Sequence, residues 1–207
     1  LAQNPLGRHA SLGALADALQ SSTPRAAASP QPASSPAVGT SAQPASALAS
    51  AGPLRFDWVL IPAGSFLWGA NKARKTITNP FYIARFPTTN AQYKVFLDAN
   101  PQITVPMGWD ILKRTFPSGL EDHPVVNLSL TDIKAFCKWA GVRLPSESEW
   151  EKAARGTDGR TFPWGEDRAV GKYCNGKDGR STGTTPVTRY PAGISPYGVW
   201  DMGGNVC

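Results

Sequence analysis

All 20 aromatic residues of this 207-residue chain lie between Phe56 and Trp200, and the first 53 residues contain none. That asymmetry restricts the fold more than any other feature, because large aromatic side chains supply most of the area that a core can bury. Residues 21–53 number 33, of which 10 are Ala, 8 Ser and 6 Pro. Such a stretch has too little apolar area to offset the entropy of ordering it. It reads as a disordered, semi-extended tether. The 154 residues of 54–207 fit one domain with a core of its own.

Several classes are unlikely on this reading. No run of about 18 apolar residues exists, so no membrane span is expected. The chain opens on Leu1 without a basic-then-apolar leader, which gives a cytoplasmic expectation. Lys and Arg total 21 against 15 Asp and Glu, a net charge of +6. The excess is spread out, with Lys72-Ala73-Arg74-Lys75 its densest run. It reads as a solvated surface, and no nucleic-acid partner is expected. Cys137 falls on an apolar helical stripe and reads as a small buried hydrophobe.

The local patterns predict an α+β domain with few helices and much loop. Leu12, Leu15, Ala16 and Leu19 have helical spacing behind a Ser11 cap. Phe56–Ile61 and Ser65–Gly69 read as the two strands of a hairpin turned at Pro62-Ala63-Gly64, and Phe81–Phe86 as a third strand. Thr89 and Gln92 have capping-box spacing, ahead of a face of Tyr93, Phe96 and Leu97. Ser129 and Asp132 start a second helix with the buried stripe Ile133, Phe136, Cys137 and Ala140, ending at Gly141. Ser146 and Glu149 start a third helix, through Trp150, Ala153 and Ala154 to Gly156. Pro186–Tyr190 and Gly198–Trp200 read as short strands.

Two resemblances follow. Residues 1–20, with Asn4-Pro5, Arg8 and the Leu/Ala periodicity, resemble the closing segment of bacterial Ser/Thr protein kinase domains. This implies a kinase domain in the same polypeptide, with 21–53 as the tether. The second resemblance is carried by motifs in order: Ile61-Pro-Ala-Gly-Ser-Phe66, Thr89-Asn-Ala-Gln-Tyr93, His123-Pro-Val-Val-Asn127, Arg143-Leu-Pro-Ser-Glu147, Glu149-Trp-Glu-Lys-Ala-Ala-Arg155, Phe162-Pro-Trp-Gly165, Thr185-Pro-Val187 and Tyr197-Gly-Val-Trp-Asp-Met-Gly-Gly-Asn-Val206. Together they are similar to the sulfatase-modifying-factor, formylglycine-generating-enzyme-like domain over 54–207. The resemblance implies a C-type-lectin-like fold. For the enzymes of that family it implies a copper-dependent conversion of a sulfatase cysteine to formylglycine. For other branches it implies iron-dependent oxidation or plain ligand binding.

The family pattern continues past Gly-Asn-Val into Trp-Glu-Trp, whereas Cys207 stands here, so the resemblance stops before the family's catalytic cysteine pair. Neither Cys137 nor Cys174 matches that pair, and copper is expected only with a pair supplied beyond these residues. His9 and His123 are too few for the iron branch, and His123, before Pro124, reads as a turn or packing residue. The family's calcium loop falls on Asp201, Gly204 and Val206, three ligands where Ca²⁺ takes six to eight oxygens. A looser match to a second calcium loop falls on Asn175, Gly176 and Asp178, which also read as ordinary Asn-Gly and Asp-Gly turns. Glu147, Glu149 and Glu151 read as helix-start charge. Trp109, Trp164 and Trp200 read as core. The functional expectation is a module that binds a protein or small ligand and regulates a tethered kinase. The alternative is a formylglycine-generating oxidase whose catalytic part lies outside this chain.

Overall fold

The computed structural model describes residues 2–3, 54–176 and 181–206. The predicted helix near residues 10–19, the tether 21–53, His9, Asp178 and Cys207 lie outside them. Five strands are described: β1 (Ala2–Gln3), β2 (Trp58–Ile61), β3 (Gly64–Trp68), β4 (Ala73–Ile77) and β5 (Phe81–Ala84). They form a three-stranded antiparallel sheet in the order β1-β5-β2 and a separate β3-β4 hairpin. In the first sheet Val59 pairs with Ile83 and Ile61 with Phe81, and all four are buried.

This corrects the expected pairing. β2 and β3 do not form a hairpin; β2 crosses to β5, and β3 pairs with β4. The corner between β2 and β3 is held instead by Lys152. The residue is 1% exposed, and its ammonium donates to Pro62 O at 2.5 Å and Gly64 O at 3.0 Å. Those carbonyls are therefore turned to the lysine, and Gly64 takes a φ of 122° that a side-chain-bearing residue avoids. β4 is the basic run expected as plain surface. Its first four residues are exposed, so no apolar alternation marks it as a strand. Lys75 lies over the Trp68 ring at 4.0 Å.

Three helices follow their predicted caps. In α1 (Asn90–Ala99), the Thr89 hydroxyl accepts from Gln92 N and the Gln92 side chain accepts from Thr89 N. The next donors find the 120–123 loop: Asn90 N bonds His123 O at 2.9 Å, and Ala91 N bonds Glu121 O at 3.1 Å. In α2 (Leu130–Ala140), Ser129 caps the start and Gly141, at φ 69°, the end. Phe136, Cys137 and Ala140 are buried, whereas Ile133 is half-buried. In α3 (Glu147–Arg155), Ser146 and Glu149 close a capping box. Ala153 and Ala154 are buried there, but Trp150 is 45% exposed and not a core residue. A short helix α4 (Val170–Tyr173) and a 3₁₀ turn (Pro191–Gly193) complete the elements.

Pro186–Tyr190 and Gly198–Trp200 are loops and turns, not the predicted strands. Val187 N bonds Asp122 O at 2.9 Å and Trp200 N bonds Arg85 O at 2.8 Å, while the other backbone bonds of these segments close local turns, so no ladder forms. The core falls into two apolar clusters. In one, Ala153, Ala154, Val199 and Met202 pack on β2 and β5. In the other, Tyr93, Phe96 and Leu97 of α1 meet Phe136 and Ala140 of α2, with Trp109 alongside. The second cluster is an aromatic array in which Phe96 meets Phe136 edge-on at 5.5 Å.

Replacing Lys152 by Met keeps the volume but leaves two part-buried carbonyls without this donor. It is expected to lower the unfolding free energy by about 1–3 kcal/mol, read from urea denaturation. A midpoint equal to wild type would show that the ammonium is not what holds the corner.

Candidate functional site

The loop from Val199 to Asn205 begins on the buried Val199 and turns around the buried Met202. Two non-glycine residues in it take left-handed backbone conformations, Asp201 at φ 54° and Asn205 at φ 70°. Asp and Asn tolerate that region better than other side chains. Two glycines between them are required by close approach. A Cβ on Gly203 would stand 2.6 Å from Trp164 Cζ3, and one on Gly204 would stand 2.7 Å from Asn175 O.

Asn205 is the hub of this loop. It is 9% exposed, and its Nδ2 donates to Thr185 O and to Asp201 Oδ2, both at 2.9 Å. Its Oδ1 accepts from Thr185 N at 2.8 Å and from Asn175 Nδ2 at 3.2 Å. Its backbone N–H donates to Asn175 O at 2.8 Å. The two separate groups named from the sequence, Asn175–Gly176 and Asp201–Val206, are thus joined at one locus. Asp178 lies outside the described residues, and Val206 is 39% exposed. Asn205 was not among the expected site residues. Its signal was the Gly-Gly-Asn run, which offers a turn residue able to use both ends of its amide.

Burial raises the Asp201 carboxyl to about 6, against a smaller opposing pull from its hydrogen bond to Asn205. Among the described residues no three His, Cys, Asp or Glu side chains converge on a metal position. Asp201 offers a carboxylate, while the Asn205 amide is already committed on both ends. These residues alone do not complete the oxygen sphere that Ca²⁺ takes. Cys137 and Cys174 are both buried, and burial pushes both thiols up, away from the thiolate form that binds Cu(I).

An aromatic stack flanks the loop. Trp164 lies between Phe162, at 5.2 Å and 1° between planes, and Tyr173, at 5.1 Å and 7°. The Tyr173 hydroxyl donates to Asp167 Oδ2 at 2.8 Å. Trp164 and Trp200 are half-buried and only Trp109 is a buried core residue, so the three tryptophans divide. His123 has the turn role expected, with Nδ1 3.0 Å from Thr184 Oγ1 and its carbonyl capping α1.

The three glutamates are structural. Glu149 Oε2 accepts from Ser146 N at 2.7 Å, and Arg143 grips the same carboxylate with both terminal nitrogens at 2.7 and 2.6 Å. That fork holds Glu149 at about 2. Glu151 pairs with Arg155 and accepts from Gly69 N at 2.7 Å, while Glu147 stands exposed.

Against this geometry, the family model described as the sulfatase-modifying factor enzyme 1-like domain matches residues 45–207. The chain belongs to that family. It is 32% identical over 192 residues to the hercynine oxygenase of Mycolicibacterium smegmatis, covering 72% of this chain and 44% of that protein. It is 30% identical over 211 residues to the formylglycine-generating enzyme of Thermomonospora curvata, covering 72% and 68%. It is 29% identical over 176 residues to the serine/threonine-protein kinase pkn1 of Chlamydia caviae, covering 74% of this chain and 27% of the kinase. This sulfatase-modifying-factor domain therefore spans less than half of the first relative and about a quarter of the last. Its fold, of mixed helix and strand, matches that of PvdO from Pseudomonas aeruginosa with a TM-score of 0.55 at 24% identity, over 70% of this chain and 66% of that one. No helix among the described residues is long and apolar enough to cross a membrane.

The Asp201 carboxyl gives a pH signature. Its folded value, about 6, lies above the ordinary 3.8. The folded state therefore binds the proton more readily, and stability rises as the pH falls from 7 through 6 toward 4. Asp201→Asn is expected to remove that rise, about 1 kcal/mol between pH 7 and 5, measured from urea midpoints at those two pH values. A wild-type midpoint that falls over the same interval would contradict the assignment.

Proposed function

We propose that this sulfatase-modifying-factor domain, C-type-lectin-like in architecture, is a ligand- or protein-binding module that regulates a Ser/Thr kinase domain in the same polypeptide, on the cytoplasmic side. The observation that carries the reading is a family loop held in shape by its own hydrogen bonds. The Asp201–Asn205 loop is locked by one asparagine, and the two described cysteines are buried thiols. Two further features support it. The kinase-like pattern of residues 1–20 precedes the domain, and a protein named as a serine/threonine kinase aligns over 74% of this chain. The relatives named as formylglycine-generating enzymes keep an oxidase reading in view, and that reading requires a thiolate pair supplied from outside the described residues.

The test uses the natural full-length polypeptide. Autophosphorylation of its kinase is measured with and without residues 54–207. Removal is expected to change the rate several-fold. An unchanged rate, or an upstream sequence that encodes no kinase, would sink the regulatory reading.

Calcium is proposed only as a weak ligand of the Asp201, Gly204 and Val206 loop, with Asn175 and Gly176 beside it. A site with so few ligands belongs at the weak end of calcium affinities, about 10⁻⁴–10⁻³ M or weaker. Calorimetric titration of the chain is expected to show no saturation below that range. A micromolar isotherm that Asp201→Asn abolishes would show that more ligands converge there than the three named.

A further inference from the structure

The segment between α1 and α2 has no part in the metal loop, and it carries the most exposed apolar side chains of the domain. Met107 is 77% exposed, Ile111 76% and Leu112 95%. Ile111 and Leu112 stand on a turn closed by hydrogen bonds. Asp110 N donates to Thr115 O at 2.8 Å and Thr115 N to Asp110 O at 3.3 Å. Asp110 Oδ1 accepts from Leu112 N at 3.0 Å and Lys113 N at 2.9 Å. Arg114 takes a φ of 51° and sends its guanidinium back to Leu97 O at 3.1 Å, at the end of α1. Trp109, buried below, meets Phe116 at 5.2 Å and Tyr93 at 6.2 Å, both edge-on. The ridge is therefore held outward by built structure.

A cleft of about 390 Å³ lies on one side, lined by Ile103, Val105, Pro106, Met107 and Trp109. A shallower hollow of about 750 Å³ lies on the other, lined by Asp110, Lys113, Phe116 and Glu121. A contiguous exposed apolar surface of this kind marks an interaction site. Its partner must offer an apolar knob, an apolar cleft and charges of both signs. The same face of a second copy offers all of these. Lys113 is 79% exposed and only 4.0 Å from Asp110, a loose pair whose cation is free to meet an opposing carboxylate. A lipid surface suits the ridge less well, because Asp110 and Glu121 beside it oppose anionic headgroups.

We propose that this ridge-and-cleft face pairs with itself about a two-fold axis, the Ile111–Leu112 tip of each copy entering the cleft of the other. The contact is small, at the low end of specific interfaces, so the dimer is weak. Sedimentation velocity of the 207-residue chain between about 5 and 500 µM is expected to show the mean mass climbing from 22.1 kDa toward twice that value. Leu112→Asp alters a side chain with almost no contacts, so its melting should match wild type while association weakens at least about tenfold. Lys113→Glu should weaken association by a smaller factor. A chain that stays monomeric throughout, or self-association indifferent to both substitutions, overturns the proposal. Leu112-dependent flotation with phosphatidylserine vesicles in the absence of self-association overturns it as well, in favour of a lipid surface.

Discussion

The corner held by Lys152 is the contact on which the arrangement of the domain depends. A lysine 1% exposed is unusual, and here it has two main-chain carbonyls in place of a carboxylate. Burial pushes its pKa down, yet the two acceptors reward the charged form. The bonds fix α3 beneath the point where β2 leaves its sheet and β3 begins. One residue on, Ala153 and Ala154 are small enough for the helix backbone to approach the β2–β5 sheet closely. On the same helix, Glu151 accepts from Gly69 N at the turn of the other hairpin, and Arg155 pairs with Glu151. A single nine-residue helix therefore ties both strand systems together.

That helix also shows how much of the fold could be read from residues in order. Its capping box, like that of α1 and the Ser129 cap of α2, is local: a hydroxyl and a donor three residues apart need no partner from elsewhere. Such features were legible. The pairing of β2 was not, because the choice between β3 and β5 is made by Lys152, some 90 residues away in sequence. β4 was illegible for another reason. With four exposed residues out of five it offers only Ile77 to the core, and its register with β3 makes it a strand. Trp150 failed in the opposite direction: a tryptophan on an amphipathic helix reads as core, but the buried side of α3 is taken by Lys152, Ala153 and Ala154.

At the candidate site the same distinction holds. Asp201 and Gly204 were named together because they lie in one motif. Asn175 was named from a different loop, and nothing in the sequence says that the two loops share one asparagine. Asn205 joins them by using a side-chain amide as a portable peptide group, donating to and accepting from Thr185 like a neighbouring strand. The buried carboxylate of Asp201, short of partners and raised to about 6, is where the loop retains unspent electrostatic potential.

The positive charge of the chain acquires a use in this picture. A domain with so much irregular backbone has many carbonyls without a ladder partner, and buried ones must be satisfied. Cationic side chains serve that purpose repeatedly. Arg85 reaches Gly198 O, Arg114 reaches Leu97 O, Arg155 reaches Arg160 O, and Arg160 reaches Pro163 O. Lys152 does so twice. Arginine suits the task because one planar group presents several donors and keeps its charge when half-buried. Three of these cations also keep a carboxylate, Arg85 with Asp57, Arg155 with Glu151 and Arg160 with Asp158. Lys152, with main-chain carbonyls for its acceptors, needs none. A surplus of base over acid is thus part of how loops are held together here.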